Sequence, residues 1–208
     1  MLELITGTVL AASAGLNAYI PLLGLGLLSR FTDLVELPTG WLWLENEWSL
    51  GIVGVLLLVE ILVDKFPALD SINDILQTVV RPASGGMVFA AGASSDTVAV
   101  TDPASFVSSG QIWPIIVGIL VALVPHALKS LGRPVLNMVT GGAGAAAAST
   151  LEDIGAVVLT VLAVVVPIIA LIVLVLIVVL LVRQVRRAIA ARRRRREEAA
   201  ATAGIQTV

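Results

Sequence analysis

From Ile154 to Val182 the chain runs without a single ionisable side chain. At about 1.5 Å of rise per residue, a helix over this run exceeds the roughly 30 Å hydrocarbon core of a bilayer. The run therefore reads as a membrane span, tilted or projecting, and Pro167 near its centre predicts a kink. A mean hydropathy of +1.01 and only 13% charged residues exclude an ordinary globular chain.

The N-terminal stretch MLELITGTVLAASAGLNAYIPLL carries an acid where a signal peptide would carry basic residues, and it reads as a first span. No cysteine is present, which excludes disulfides, thiolate metal sites and thiol catalysis. The net charge of −2 conceals two opposed parts. Residues 183–198 hold eight arginines and two glutamates, leaving five basic and thirteen acidic residues elsewhere. The chain divides on this basis into a membrane helix-bundle domain, 1–182, and a basic cytoplasmic tail, 183–208.

Apolar segments fall at Leu4–Leu28, Leu50–Val63, Ile75–Ala93, Ile112–Leu128, Val135–Thr150 and Ile154–Val182. The third contains Arg81-Pro82 and the fifth is short and rich in small residues, so 75–93 and 135–150 are spans or re-entrant segments. Lys and Arg accumulate on cytoplasmic loops. Loops with Lys129 and Arg133 or with Lys65 alternate with loops 94–111 and 150–153, which have no basic residue, and with 29–49, where Arg30 faces four acids. Trp41, Trp43, Trp48 and Trp113 fall beside the expected outer ends. The reading is an all-α, polytopic membrane helix bundle of about six transmembrane or re-entrant helices, in a bacterial inner membrane with both termini cytoplasmic. An internal hairpin repeat is expected from laying IVGVLLLVEILVDK (52–65) over IVGILVALVPHALK (116–129), each followed by an inner turn and a Gly-Gly element, Gly85-Gly86 or Gly141-Gly142.

The stretch VEILVDKFPALD (59–70) places charge where an unpaired one is expensive. Glu60 and Asp64 share a helix face at i,i+4, as do Asp70 and Asp74 beyond the break at Pro67, with Lys65 and Arg81 as available counter-charges. Such a cluster binds a cation, relays protons or locks helices together. Asn17, in SAGLNAYIP beside Pro21, is a buried polar candidate. Its alternative roles are substrate contact and interhelical glue. His126 reads as an interfacial side chain near Lys129. Glu152 and Asp153 read as caps on the last span. Arg192–Arg196 fix orientation and bind anionic lipid headgroups; no nucleic-acid partner is needed to account for the charge. Small-residue faces are compatible with a homo-oligomer.

Three stretches, AGLNAYIPLLGLGLLSRF (14–31), VEILVDKFPALDSINDILQTVVRP (59–82) and STLEDIGAVVLTVLAVVVP (149–167), resemble a bacterial integral membrane family catalogued as domain of unknown function 4126. The likeness covers about residues 8–180. The family tends to carry an Asn-Pro-bearing connection before the residue equivalent to Glu152, where this chain has TGGAGAAAAS. The resemblance implies a helical membrane fold and no particular activity.

The expected function is a small transporter or channel for an ion or small polar solute. Its binding or proton-coupling residues are drawn from Glu60, Asp64, Lys65, Asp70, Asp74, Arg81 and Asn17, and no cofactor or metal is expected. The alternative is a non-transporting scaffold or assembly factor that binds partner helices and anionic lipid. Ser84 with His126 makes a poor nucleophile and base, and no intramembrane-protease pattern is present. An enzyme is not expected.

Overall fold

A computed structural model describes residues 1–93, 112–141 and 143–205, and among these every regular element is helical. Loop 94–111, used above to set orientation, and Gly142 of the second Gly-Gly element lie outside the described residues. The helices are α1 (Leu2–Leu16), α2 (Tyr19–Phe31), α3 (Glu47–Val63), α4 (Pro67–Ala93), α5 (Ile112–Thr140), α6 (Ala143–Val165) and α7 (Pro167–Ile205). A 3₁₀ turn, Thr39–Glu45, precedes α3 at an angle of 64°. Ile112–Pro134, Ala146–Val165 and Pro167–Arg187 are each long and apolar enough to cross a membrane, and Thr39–Glu45 with Glu47–Val63 is so only if the bent pair is taken as one broken span. Aliphatic side chains stand exposed along α3, α6 and α7, among them Ile52, Val55, Leu62, Ile172 and Val175. Soluble proteins avoid apolar surfaces of this extent.

The segment expected as one span at Leu4–Leu28 is a helical hairpin. α1 runs antiparallel to α6: Thr6 donates to the Ala163 carbonyl (2.9 Å), Ser13 to the Ala156 carbonyl (2.9 Å), and Asn17 Nδ2 to Asp153 Oδ1 (3.0 Å). After Asn17 the chain reverses, so that Leu25 of α2 returns to the level of Leu2 and Thr6. The physical reason is Asn17 itself. Its backbone is extended, and its side-chain oxygen accepts from the N–H groups of Tyr19 and Ile20, which serves the orphan donors of a new helix.

The run Ile154–Val182 is likewise divided between two helices rather than kinked. Pro167 begins α7, a position where its missing N–H costs nothing. Gly155 faces Ile177 and a shared groove joins Ala148 to Gln184, so α6 and α7 pack antiparallel about Val166. The turn expected at 129–134 is absent; α5 continues to Thr140 and the chain turns at Gly141, whose φ of +63° suits glycine. Residues 52–65 are followed by a turn and 116–129 are not, so the second half of the hairpin repeat does not form as expected. Arg81-Pro82 does not interrupt α4, and Pro125 and Pro134 sit within α5. The backbone also passes through residue 182 unbroken, with Val185 still buried.

These boundaries set up two ends. Met1, the 3₁₀ turn, the starts of α3 and α5 and the α6–α7 turn lie at one end with Trp41, Trp43, Trp48 and Trp113. The α3–α4 turn, the α5–α6 turn and the arginine stretch of α7 lie at the other. Both termini were expected at one end, from an even number of crossings; with the first segment divided in two, Met1 and the arginine stretch of α7 lie at opposite ends. α1 is the innermost helix, with Val9 through Leu16 all buried. Its close packing depends on glycines. A Cβ on Gly15 would collide with the Ala122 carbonyl, and one on Gly85 or Gly118 would collide across the α4–α5 contact.

Candidate functional site

Near the arginine end, four helices deliver charged side chains to one buried place. Glu60 comes from the last turn of α3 and Asp64 caps that helix; Arg81 comes from α4, Lys129 and Arg133 from α5, and Glu152 from α6. All are below 9% exposed, and Arg81 is wholly enclosed. At that depth each charge must be matched, because desolvation exceeds what water could return.

The matching is unequal. Asp64 Oδ2 receives Lys129 Nζ (3.0 Å) and Arg133 Nη2 (3.0 Å), with Ser149 Oγ at 3.4 Å and Arg81 Nη2 at 3.8 Å, while Oδ1 accepts from Asn73 (2.8 Å). Glu152 Oε2 pairs with Lys129 (3.1 Å) and Arg133 (3.3 Å). Among the described residues Glu60 has one ion-pair partner, Arg81 Nη2 on Oε1 (2.9 Å), and its buried Oε2 has no hydrogen-bond partner. Asp64 is thus held as an anchor. Glu60 retains an unengaged oxygen.

A hydrogen-bonded chain leads away from Glu60. Arg81 Nη1 lies 3.4 Å from His126 Nδ1, and His126 Nε2 lies 3.1 Å from Thr78 Oγ1. A guanidinium only donates, so Nδ1 accepts and the proton of a neutral ring sits on Nε2, facing Thr78. Thr78 in turn donates to the Asp74 carbonyl (2.8 Å). His126 is therefore a buried member of the network rather than an interfacial side chain.

The reversal between α1 and α2 meets the cluster at its tip. A helix ending in the interior leaves carbonyls without partners. Lys129 donates to the Leu16 carbonyl (3.2 Å) and Ser84 to the Ala18 carbonyl. Asn17, fully buried, joins this tip to Asp153. Asp153 also faces Lys65 Nζ at 3.5 Å, and Lys65 donates to Thr150 (2.9 Å). This outer pair is part-exposed and the inner one is not.

Of the residues singled out from sequence, Glu60, Asp64, Arg81 and Asn17 converge; Lys65 lies at the margin, and Asp74 stands 3.7 Å from Arg133. Asp70 falls in the first turn of α4, and its side chain lies outside the described residues. Lys129, Arg133, Glu152 and Ser149 were missed. Lys129 and Arg133 were assigned to a loop and Glu152 to a helix cap, whereas all three lie inside helices. The signal was present in the spacing of His126, Lys129 and Arg133, one stripe at i, i+3, i+7. Among the described residues no group of three histidine or carboxylate side chains is arranged to hold a metal ion.

No curated protein and no solved structure matches the chain. A family model does match, that of a domain of unknown function (DUF4126), over residues 4–187. That span takes in every residue of the buried cluster, from the hairpin tip to the first arginines of α7, and the chain belongs to this family.

Proposed function

We propose that the protein is a small multi-pass transporter or channel of the bacterial inner membrane, for an ion or small polar solute, with Glu60 as its proton-coupling carboxylate. The arginine end faces the cytoplasm, in keeping with the positive-inside rule, and the tryptophan end lies at the outer interface. In this orientation the N-terminus is on the outer side, in place of the cytoplasmic position expected from sequence. One observation carries the reading: Glu60 Oε2 is buried without a partner among the described residues where a reversing hairpin meets four helices bearing charged side chains. Intramembrane carboxylates in such surroundings serve ion and proton pathways. Reversing helices at membrane depth are the usual frame for them. Asp64 supplies the fixed negative charge that keeps Lys129 and Arg133 in place.

The test is proton flux in proteoliposomes, read by an entrapped pH dye under a valinomycin-set potassium potential. Wild-type protein is expected to exceed protein-free vesicles, and Glu60→Gln to lower the flux at least about tenfold while staying folded, with some loss of stability because buried Arg81 loses its 2.9 Å partner. Wild-type flux equal to that of empty vesicles, or equal flux from Glu60→Gln, overturns the assignment. The network's nearly complete ion pairing supports a second reading, the non-transporting scaffold, in which the cluster serves as an interhelical lock. That reading requires silent vesicles and a loss of stability in Glu60→Gln.

A further inference from the structure

Between α6 and α7, away from the glycine-packed centre, lies a side groove of about 370 Å³. Its walls are apolar, with Leu151, Ile154 and Val158 on α6 and Ile177 and Leu181 on α7; Gly155 lies against Ile177 and Leu16 within it. Among the described residues its strongly polar contributors are Glu152 and Gln184, both toward the arginine end. Glu152 is already engaged by Lys129 and Arg133, so it presents no unmatched negative charge to a visitor.

We infer that this groove holds one acyl chain of an anionic phospholipid, whose headgroup phosphate rests on Arg183 and Arg187. Two observations converge. The groove is lined almost wholly by aliphatic side chains and has a volume of about 370 Å³, which suits a linear hydrocarbon chain rather than a whole helix about 10 Å across. Ile177, Leu181 and Gln184 form a stripe along α7, and Arg187 is the next residue on it, one turn beyond Gln184; Arg183 adjoins it, and both arginines are exposed. Arg183 and Arg187 are four residues apart on one helix face, so both can reach a phosphate placed where the apolar walls end. The cation contribution comes from these two positions and not from the more distal arginines. The site is independent of whether the cluster transports anything.

Gly155 is a ready obstruction point. A Cβ there would lie 3.5 Å from Ile177 and 3.9 Å from Leu16, so a methyl is accommodated and a leucine fills the groove. The experiment is native mass spectrometry of the full chain in detergent, with phosphatidylglycerol and phosphatidylcholine of identical acyl chains offered in competition. Wild type is expected to retain one phosphatidylglycerol with at least about tenfold preference. R183Q/R187Q is expected to lose the preference, Gly155→Leu to lose both lipids, and R193Q/R194Q to behave as wild type. Equal retention of the two lipids by wild type overturns the proposal. So does undiminished preference in R183Q/R187Q, or retention by folded Gly155→Leu. Because Arg183 and Arg187 are exposed, the double variant remains a valid test even where Gly155→Leu fails to fold.

Discussion

Asp64 and Glu60 are one helical turn apart, yet their surroundings separate their roles. Removing the Asp64 charge leaves Lys129 and Arg133 with only one of their two shared carboxylates, Glu152, in the interior. Breaking a buried pair from one side costs about 3–5 kcal/mol. Asp64→Asn is therefore expected to lower stability by that order, read as a shift of the denaturant midpoint in detergent. D64N/K129M, which removes both members, should recover part of the loss. Lys65→Gln breaks a pair in which Lys65 is about one-third exposed and is expected to cost under about 1 kcal/mol. Equal losses in D64N and K65Q would contradict the ranking. The acids of this site were evident in the sequence because carboxylates beside an apolar run are conspicuous. Their partners were not. Lys129 and Arg133 fit equally well in a cytoplasmic turn, and only the continuation of α5 to Thr140 moves them inward.

Helical, apolar character was legible in the sequence, but not the division into helices: Leu4–Leu28 is two of them, and Val135–Thr150 straddles the turn at Gly141. Hydropathy located the apolar segments, because burial in lipid and burial in protein select the same side chains. It did not reveal where α1 ends, since an extended Asn17 leaves no change in hydropathy, nor that Pro167 opens a helix instead of bending one. Charge was a poor guide to turns for the same reason: Lys129, Arg133 and Glu152 are matched inside the protein rather than solvated. Packing between elements gives its own prediction. Gly118 approaches the Gly85 backbone so closely that Gly118→Ala must push α4 and α5 apart, a change expected to cost about 1–3 kcal/mol. Gly54 of α3 has open space around its Cβ position, and Gly54→Ala is expected to be neutral or to stabilise by up to about 1 kcal/mol. Thermal unfolding of the two variants in one detergent compares them directly.

For the molecule as a whole, the arrangement of ends makes a sidedness prediction. The chain has no cysteine, so single cysteines report position without background. Glu36→Cys, at the tryptophan end, and Arg194→Cys, on α7, are expected to react with a membrane-impermeant maleimide from opposite faces of oriented inner-membrane vesicles. Labelling of both from one face would reverse the topology proposed for the first hairpin. The enclosure of α1 also has a bearing on biogenesis. α1 leaves the ribosome before its neighbours on α4, α5 and α6, and its Thr6 and Ser13 hydroxyls find their acceptors only once Ala163 and Ala156 exist. The centre of this bundle is synthesised before its walls, so the opening hairpin must wait at the insertion machinery or in lipid until the rest of the chain closes around it.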